Sequence, residues 1–204
     1  MHKEILSSAQ QKILPLLEKF LDKFYLAGGT AIALQIGHRQ SIDFNLFTTA
    51  ELKTRSLENQ IKRCGFNIEQ IFRSNIDKFT ALLNGVKVSF VSFPFSISIK
   101  EELNGKIKLP NLLTLAAMKA YTLGRRNKWK DYIDLYFILR DFFSLDLISH
   151  EANKIFGGAF NSRCFQEQLI WFKDIDYSEK VEFLPGKEVS QEEVKNFLER
   201  VVVS

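Results

Sequence analysis

Two short stretches of this chain carry residue types that could do chemistry on a phosphate. The first holds Gly28-Gly29-Thr30 and, a little downstream, Asp43 and Asn45. Glycines at a strand–helix junction let backbone N–H groups approach an anion, and a helix N-terminus favours negative charge. Residues two apart on a strand project to one face, so Asp43 and Asn45 would stand side by side. An acid beside an amide, close to a glycine turn, is how a phosphate-handling site could be built. Tight turns without any ligand use the same glycines, and residue types alone leave both readings open.

The second stretch holds Lys119, Asp131 and Asp134. Leu112, Leu115, Ala116, Lys119 and Leu123 recur at helical spacing, which puts the lysine on an apolar stripe. Lysine is almost never fully buried without company. It must snorkel to solvent or meet an anion, and Asp131 or a nucleotide phosphate is the candidate. Asp131 and Asp134 lie i, i+3 on one face of an otherwise apolar helix. Asp131 would suit the helix N-terminus, and Lys130 could pair with Asp134 at i+4. His38 and Arg39 occupy a polar turn ahead of Asp43, where Arg39 would either contact phosphate or be solvated. Cys64 and Cys164 have no activating neighbour in sequence and receive no chemical role.

The elements needed to hold these residues are legible in outline. Helical spacing runs over 4–22, with Pro15 expected to kink or restart the helix. Phe24–Ala27 forms a buried strand, Ala31–Ile36 a short helix closed by Gly37, and Ser41–Phe47 an alternating strand with Ile42, Phe44 and Leu46 on one face. Thr48-x-x-Glu51 resembles a capping box for a helix ending at Gly65. A strand follows over 66–72, and Asn84-Gly85 joins strands 78–83 and 86–93 in a hairpin. A loop around Asn104-Gly105 leads to a helix opened by Leu109-Pro110-Asn111 and ending near Gly124. A basic turn, Arg125–Lys128, then precedes helices over 129–143, 145–155 and 161–172. An irregular charged connection spans 174–187, and Ser190-x-x-Glu193 caps a last helix to about Val202.

Strands precede helices, so the class is α+β, divided as a 1–100 core and a 101–204 helical region packed with it as one compact unit. With 46% apolar and 25% charged residues over 204 positions, the composition is that of a globular protein. A net charge of +4 permits an anionic partner without demanding one. Two distant cysteines, the lack of any apolar run of membrane length and the lack of a signal-peptide pattern predict a reduced, cytoplasmic chain with no membrane association.

The stretch FYLAGGTAIALQIGHRQSIDFNLF resembles the first motif of the AbiEii/AbiGii toxin family, a branch of the polymerase-β-like nucleotidyltransferases, whose pattern is LxGGTALALxxGHRxSxDxDLF. Leu26, Gly28, Gly29, Thr30, Ala31, Ala33, Leu34, Gly37, His38, Arg39, Ser41, Asp43, Leu46 and Phe47 match, and Asn45 replaces the second aspartate. A later stretch, NLLTLAAMKAYTLGRRNKWKDYIDLYFIL, is similar to the family's downstream motif at Lys119, Arg125, Lys130, Asp131, Asp134 and Leu135, with Arg126 in place of a glycine. The resemblance implies a polymerase-β-like core, a small mixed sheet with flanking helices, followed by a helical C-terminal half. It implies transfer of a nucleoside monophosphate from an NTP, with Mg²⁺, to an acceptor such as RNA, and a cognate antitoxin. Gly28, Gly29, Thr30, Arg39 and Arg126 would then bind nucleotide, and Asp43 and Asn45 would hold the metal. Lys119 would meet phosphate, and Asp131 would orient Lys119 or act as base. With Ser89 in VKVSF where the third strand carboxylate is expected, one carboxylate of the three remains. A nucleotide-binding or interaction module without catalysis is the alternative.

Overall fold

A computed structural model of the chain describes residues 1–103 and 105–203; Asn104, expected in a loop with Gly105, and Ser204 lie outside them. A 3-10 turn, Lys3–Ile5, precedes α1 (Ser8–Glu18). A capping box closes the start of α1, with Ser7 and Gln10 bonding each other's backbone amides. The helix carries Pro15 inside its run and does not restart there. Then come β1 (Tyr25–Ala27), α2 (Gly28–Ile36) and β2 (Asp43–Thr48). Helix α2 begins directly at Gly28, so the glycine pair is its first turn and not a separate loop. Gly28 at φ 77° makes that abrupt exit from the strand, a backbone region that side chains disfavour. Gly37, left-handed at φ 61°, ends the helix as expected.

Helix α3 spans Thr54–Arg63, later than the Thr48-x-x-Glu51 pattern indicates. Thr48 completes β2, and its hydroxyl accepts from the Ala50 amide in a local turn that competes with a cap. Strands β3 (Ile68–Ser74), β4 (Lys78–Leu83) and β5 (Val86–Ser92) follow, with Asn84-Gly85 turning the expected hairpin. The main sheet has the order β1-β2-β5-β4-β3, with β2 and β5 parallel and the other pairs antiparallel. A second hairpin pairs β6 (Ile99–Leu103) with β7 (Ile107–Pro110), in a region expected to be loop. Pro110 therefore ends a strand, and Asn111 caps α4 (Leu112–Thr122) through the Thr114 amide. Helices α5 (Trp129–Asp141), α6 (Leu145–Phe156), α7 (Ser162–Leu169) and α8 (Gln191–Val203) complete an α+β fold with a helical second half. Among the described residues no helix is long and apolar enough to cross a membrane.

The two faces of the main sheet differ sharply. Phe44, Leu46, Phe79, Ala81, Val88 and Phe90 are fully buried, and Phe20 and Phe24 pack edge-on against Phe90. The opposite face carries Asp43, Asn45, Thr80, Lys87 and Ser89, as the two-residue strand period requires. Ile42, expected to face inward with Phe44, lies ahead of β2 and is exposed. The chain thus buries its apolar sheet face and presents the polar one beside the first turn of α2, where Gly28 lies against Asn45.

Candidate active site

Register places the polar face residue by residue. Asp43 pairs with Lys87, and Asn45 pairs with Ser89 across the parallel β2–β5 ladder. Ser89 pairs with Thr80 on β4, and Ala27 at the start of α2 pairs with Asn45. Lys87 Nζ lies 3.6 Å from Asp43 Oδ2, with both side chains partly open to solvent. Ser89 is buried and bonds the Thr80 hydroxyl at 3.0 Å. The one carboxylate of this face is therefore flanked by a lysine and an amide, and a hydroxyl occupies the third position.

Gly28 abuts this row, since a Cβ added to it would sit 3.4 Å from the Asn45 side-chain nitrogen. Ala27 at the N-cap of α2 has no side-chain acceptor, so the first amides of the helix are available to an anion beside Asn45. Thr30 is placed otherwise than a phosphate contact requires. It is fully buried, donates to the Asp43 carbonyl and shares a 2.7 Å bond with Ser41. Thr30 fixes where β2 starts.

Behind the glycine pair lies a buried ionic network built from both sequence motifs. Asp134, with no exposed surface, accepts from Arg39 Nε at 2.7 Å and Nη2 at 3.0 Å, from His38 Nε2 at 2.7 Å, and pairs with Lys119 at 2.8 Å. Lys119 also donates to Asp131 Oδ1 at 2.6 Å, and Asp131 receives Arg126 through Nε and Nη2, both at 2.8 Å. Arg39 is thus neither solvated nor free for phosphate. It is buried, with its third donor group on the Gln40 carbonyl. Gly29 is glycine because Arg39 Nη2 occupies the volume that a Cβ would fill. Lys119 meets Asp131, one of its two expected anions, and Asp134 as well, at 4% exposure. Lys130 pairs with Glu179 at 3.3 Å and not with Asp134, because Asp134 points inward to Arg39 and Lys119.

The electrostatics follow from this packing. Burial alone would raise Asp131, but Lys119 and Arg126 outweigh it and hold the carboxyl below the usual range. A carboxylate that is 1% exposed and receives two cations is suited to orienting Lys119 and Arg126. Asp134 is held well below its usual value despite burial, chiefly by Arg39 and Lys119. Burial pushes His38 down more than Asp134 lifts it, so the imidazole is neutral, and its Nδ1 is buried without a bond. Arg126 is the outward member of the network, with 52% of its side chain exposed.

The connection from Asp174 to Lys187 fastens the two turns of this network. The Gln40 amide bonds the Glu182 carbonyl, and the Leu184 amide bonds the His38 carbonyl. The Asp176 backbone bonds both Asn127 and Trp129 beside Arg126. Composition alone made this segment an irregular linker.

The donor set does not fit a metal held by the protein alone. Asp43 supplies one charge, Asn45 a neutral carbonyl and Ser89 an engaged hydroxyl, with a lysine 3.6 Å from the acid. Among the described residues no group of three or more His, Cys, Asp or Glu side chains is placed to hold an ion.

The family described as nucleotidyl transferase AbiEii toxin, Type IV TA system, matches residues 16–203. An uncharacterised protein of Aquifex aeolicus is 31% identical over 186 residues, spanning 88% of this chain and 86% of its own. Among solved structures, JHP933 from Helicobacter pylori superposes with a TM-score of 0.60 at 15% identity, covering 98% of this chain and 91% of that one. MenT4, a nucleotidyltransferase toxin from Mycobacterium tuberculosis, superposes at 0.58 and 13% identity, covering 95% and 82%. At these identities the structural likeness concerns the fold.

Proposed function

We propose that this chain, which belongs to the AbiEii nucleotidyltransferase toxin family, transfers a nucleoside monophosphate from an NTP to a hydroxyl of an RNA acceptor. The carrying observation is that Asp43 and Asn45 share one polar sheet face beside the first turn of α2, with Gly28 against Asn45, while Arg126 is the half-exposed member of the buried network behind it. In this reading the acceptor hydroxyl donates a hydrogen bond to Asp43 and attacks the α-phosphorus. A P–O bond forms there while the bond to pyrophosphate breaks, and the hydroxyl proton leaves to solvent. The amides of Gly28 and Gly29 and the Arg126 guanidinium hold phosphate oxygens, a role that needs positioned charge and not covalent chemistry. Lys119, Asp131, Asp134, His38 and Arg39 are positioning residues. They fix Arg126 on one side and the glycine turn on the other. Mg²⁺, expected from the family resemblance, would find one charged protein ligand here, and no step is assigned to it. The chain would act in the cytoplasm and be restrained by an antitoxin protein.

A second reading is favoured by Asn45 and by the buried Ser89–Thr80 pair, which leave Asp43 the only acid of the strand face. It makes the chain a nucleotide-binding module without turnover. Incubation with total RNA and NTPs labelled at the α- or the γ-phosphate separates the two. Transfer predicts α-label on RNA and none from the γ position. Nucleotide binding without α-label transfer from any NTP would establish the module, and the lack of both would remove both readings.

A further inference from the structure

The polar sheet face carries more positive charge than the residues assigned so far. Lys78 opens β4 and Lys87 lies on β5, both on the same face as Asp43. Lys78 is half-buried, and among the described residues no carboxylate lies within ion-pair distance of its ammonium. The charges that act on it most include Arg126, Arg73 and Lys87, with Asp43 opposing them. Arg73 pairs with Thr80 across the β3–β4 ladder, which brings it to the same face.

Burial and these like charges together push the Lys78 ammonium down from its ordinary value. Holding several cations around one half-buried lysine costs stability, because like charges repel more strongly where water is scarce. A surface that keeps them together is suited to an anion of several charges that is absent from the chain itself. The register sets the spacing. Lys87 pairs with Asp43, and Lys78 pairs with Val91, four residues further along β5. At about 3.3 Å per residue that offset is about 13 Å between backbones, so an anion that meets both lysines must be extended and carry several charges.

We propose that Lys78 and Lys87 form a polyphosphate subsite which, with Arg126, supplies from the protein the positive charge that two metal ions would otherwise bring to a triphosphate. The ligand class is a triphosphate group, free or on a nucleoside, and its identity as an NTP rests on the transfer reading above. The scarcity of acids on this face and the presence of Lys78 and Lys87 there then serve one end. Fewer acids leave less metal, and cations that point at the same phosphates replace it.

The test uses the full chain in EDTA and measures dissociation constants for inorganic tripolyphosphate, an NTP and the matching NMP. The wild type should bind tripolyphosphate and the NTP without divalent metal, with the two competing, and should bind the NMP far more weakly. Lys78→Met and Lys87→Met should each weaken triphosphate binding roughly tenfold, the scale of one charge-assisted contact, while NMP affinity moves less than about twofold. Lys87→Arg should restore most of the loss. Thermal unfolding of each variant separates lost binding from lost folding. Triphosphate affinity unchanged in both Met variants, or binding that appears only with Mg²⁺, would overturn the subsite. If α-label transfer fails while the lysine-dependent tripolyphosphate binding holds, the transfer reading falls and the subsite stands.

Discussion

Replacing Asp134 by Asn probes the junction on which both motifs depend. The carboxylate is fully buried and neutralises Arg39 and Lys119 while accepting from His38. Asn preserves the shape, removes the charge and turns an amide nitrogen toward donors. Lys119 keeps Asp131, but Arg39 loses the only acid it contacts among the described residues. Breaking a buried ion pair on one side costs about 3–5 kcal/mol, because an uncompensated charge stays inside. A domain of this size has about 5–15 kcal/mol in all, so the variant should fold but marginally. At about 2–4 °C per kcal/mol, its thermal midpoint should fall by about 6–20 °C. Thermal and urea unfolding at pH 7.5 measure this directly. A fall of less than about 2 °C would refute the view that Asp134 compensates buried charge. The pH dependence gives a second readout. The folded pKa of Asp134 lies below its unfolded value, so its stabilisation is complete above about pH 4 and is lost as pH falls toward the folded value. His38 is also depressed when folded, so the unfolded chain binds a proton first as pH drops below about 6.5, and stability declines from there. Asp134→Asn should abolish the first of these acid losses and keep the second.

Three further outcomes follow from the geometry. Gly29→Ala would place a Cβ on Arg39 Nη2 and force the guanidinium off Asp134, so it should cost about 1–3 kcal/mol in urea unfolding and lower nucleotide affinity together. Lys130→Ala removes a partly exposed pair with Glu179 and should change stability by less than about 1 kcal/mol; a loss as large as that of Asp134→Asn would show that Lys130 belongs to the buried network. Asn45→Asp adds a second carboxylate beside Asp43 and should raise the Mg²⁺ dependence of nucleotide binding, read by calorimetry with and without EDTA; binding equally insensitive to metal in both proteins would contradict the assignment of that face.

How far the sequence anticipates this molecule depends on the range of the interaction. Local signals serve well: Gly37 at its helix end, the Asn84-Gly85 hairpin, the alternation of Phe44, Leu46, Asp43 and Asn45, and the Ser190 cap all follow from short-range physics. The capping box at Thr48 fails because β2 claims that residue for the sheet. The β6–β7 hairpin escapes because its strand pairs are short and charged, with Lys and Glu on the outer face. The site divides in the same way. Lys119 is visible as a charged group on an apolar face that needs an anion, and of the two anions expected, Asp131 or a nucleotide phosphate, the structure shows the pair with Asp131. The burial of Arg39 escapes sequence reasoning because nothing in the turn reveals that Asp134, far away in sequence, lies against it. A signal was present, since Asp134 on a greasy helix needed a cation, and the neighbouring Lys130 made too easy an answer. Lys78 and Lys87 look like ordinary solvent-facing strand residues until the β2–β5 and β4–β5 registers bring them to the face of Asp43.

Asp43→Asn keeps the size and hydrogen bonding of the residue and removes the one acid of the strand face. The decisive measurement is pyrophosphate release coupled to α-label capture on RNA, wild type against this variant, at matched nucleotide occupancy. Nucleotidyl transfer predicts equal amounts of pyrophosphate and RNA-bound label from the wild type, with both lost in Asp43→Asn while nucleotide still binds. Equal turnover by the two proteins would contradict the account.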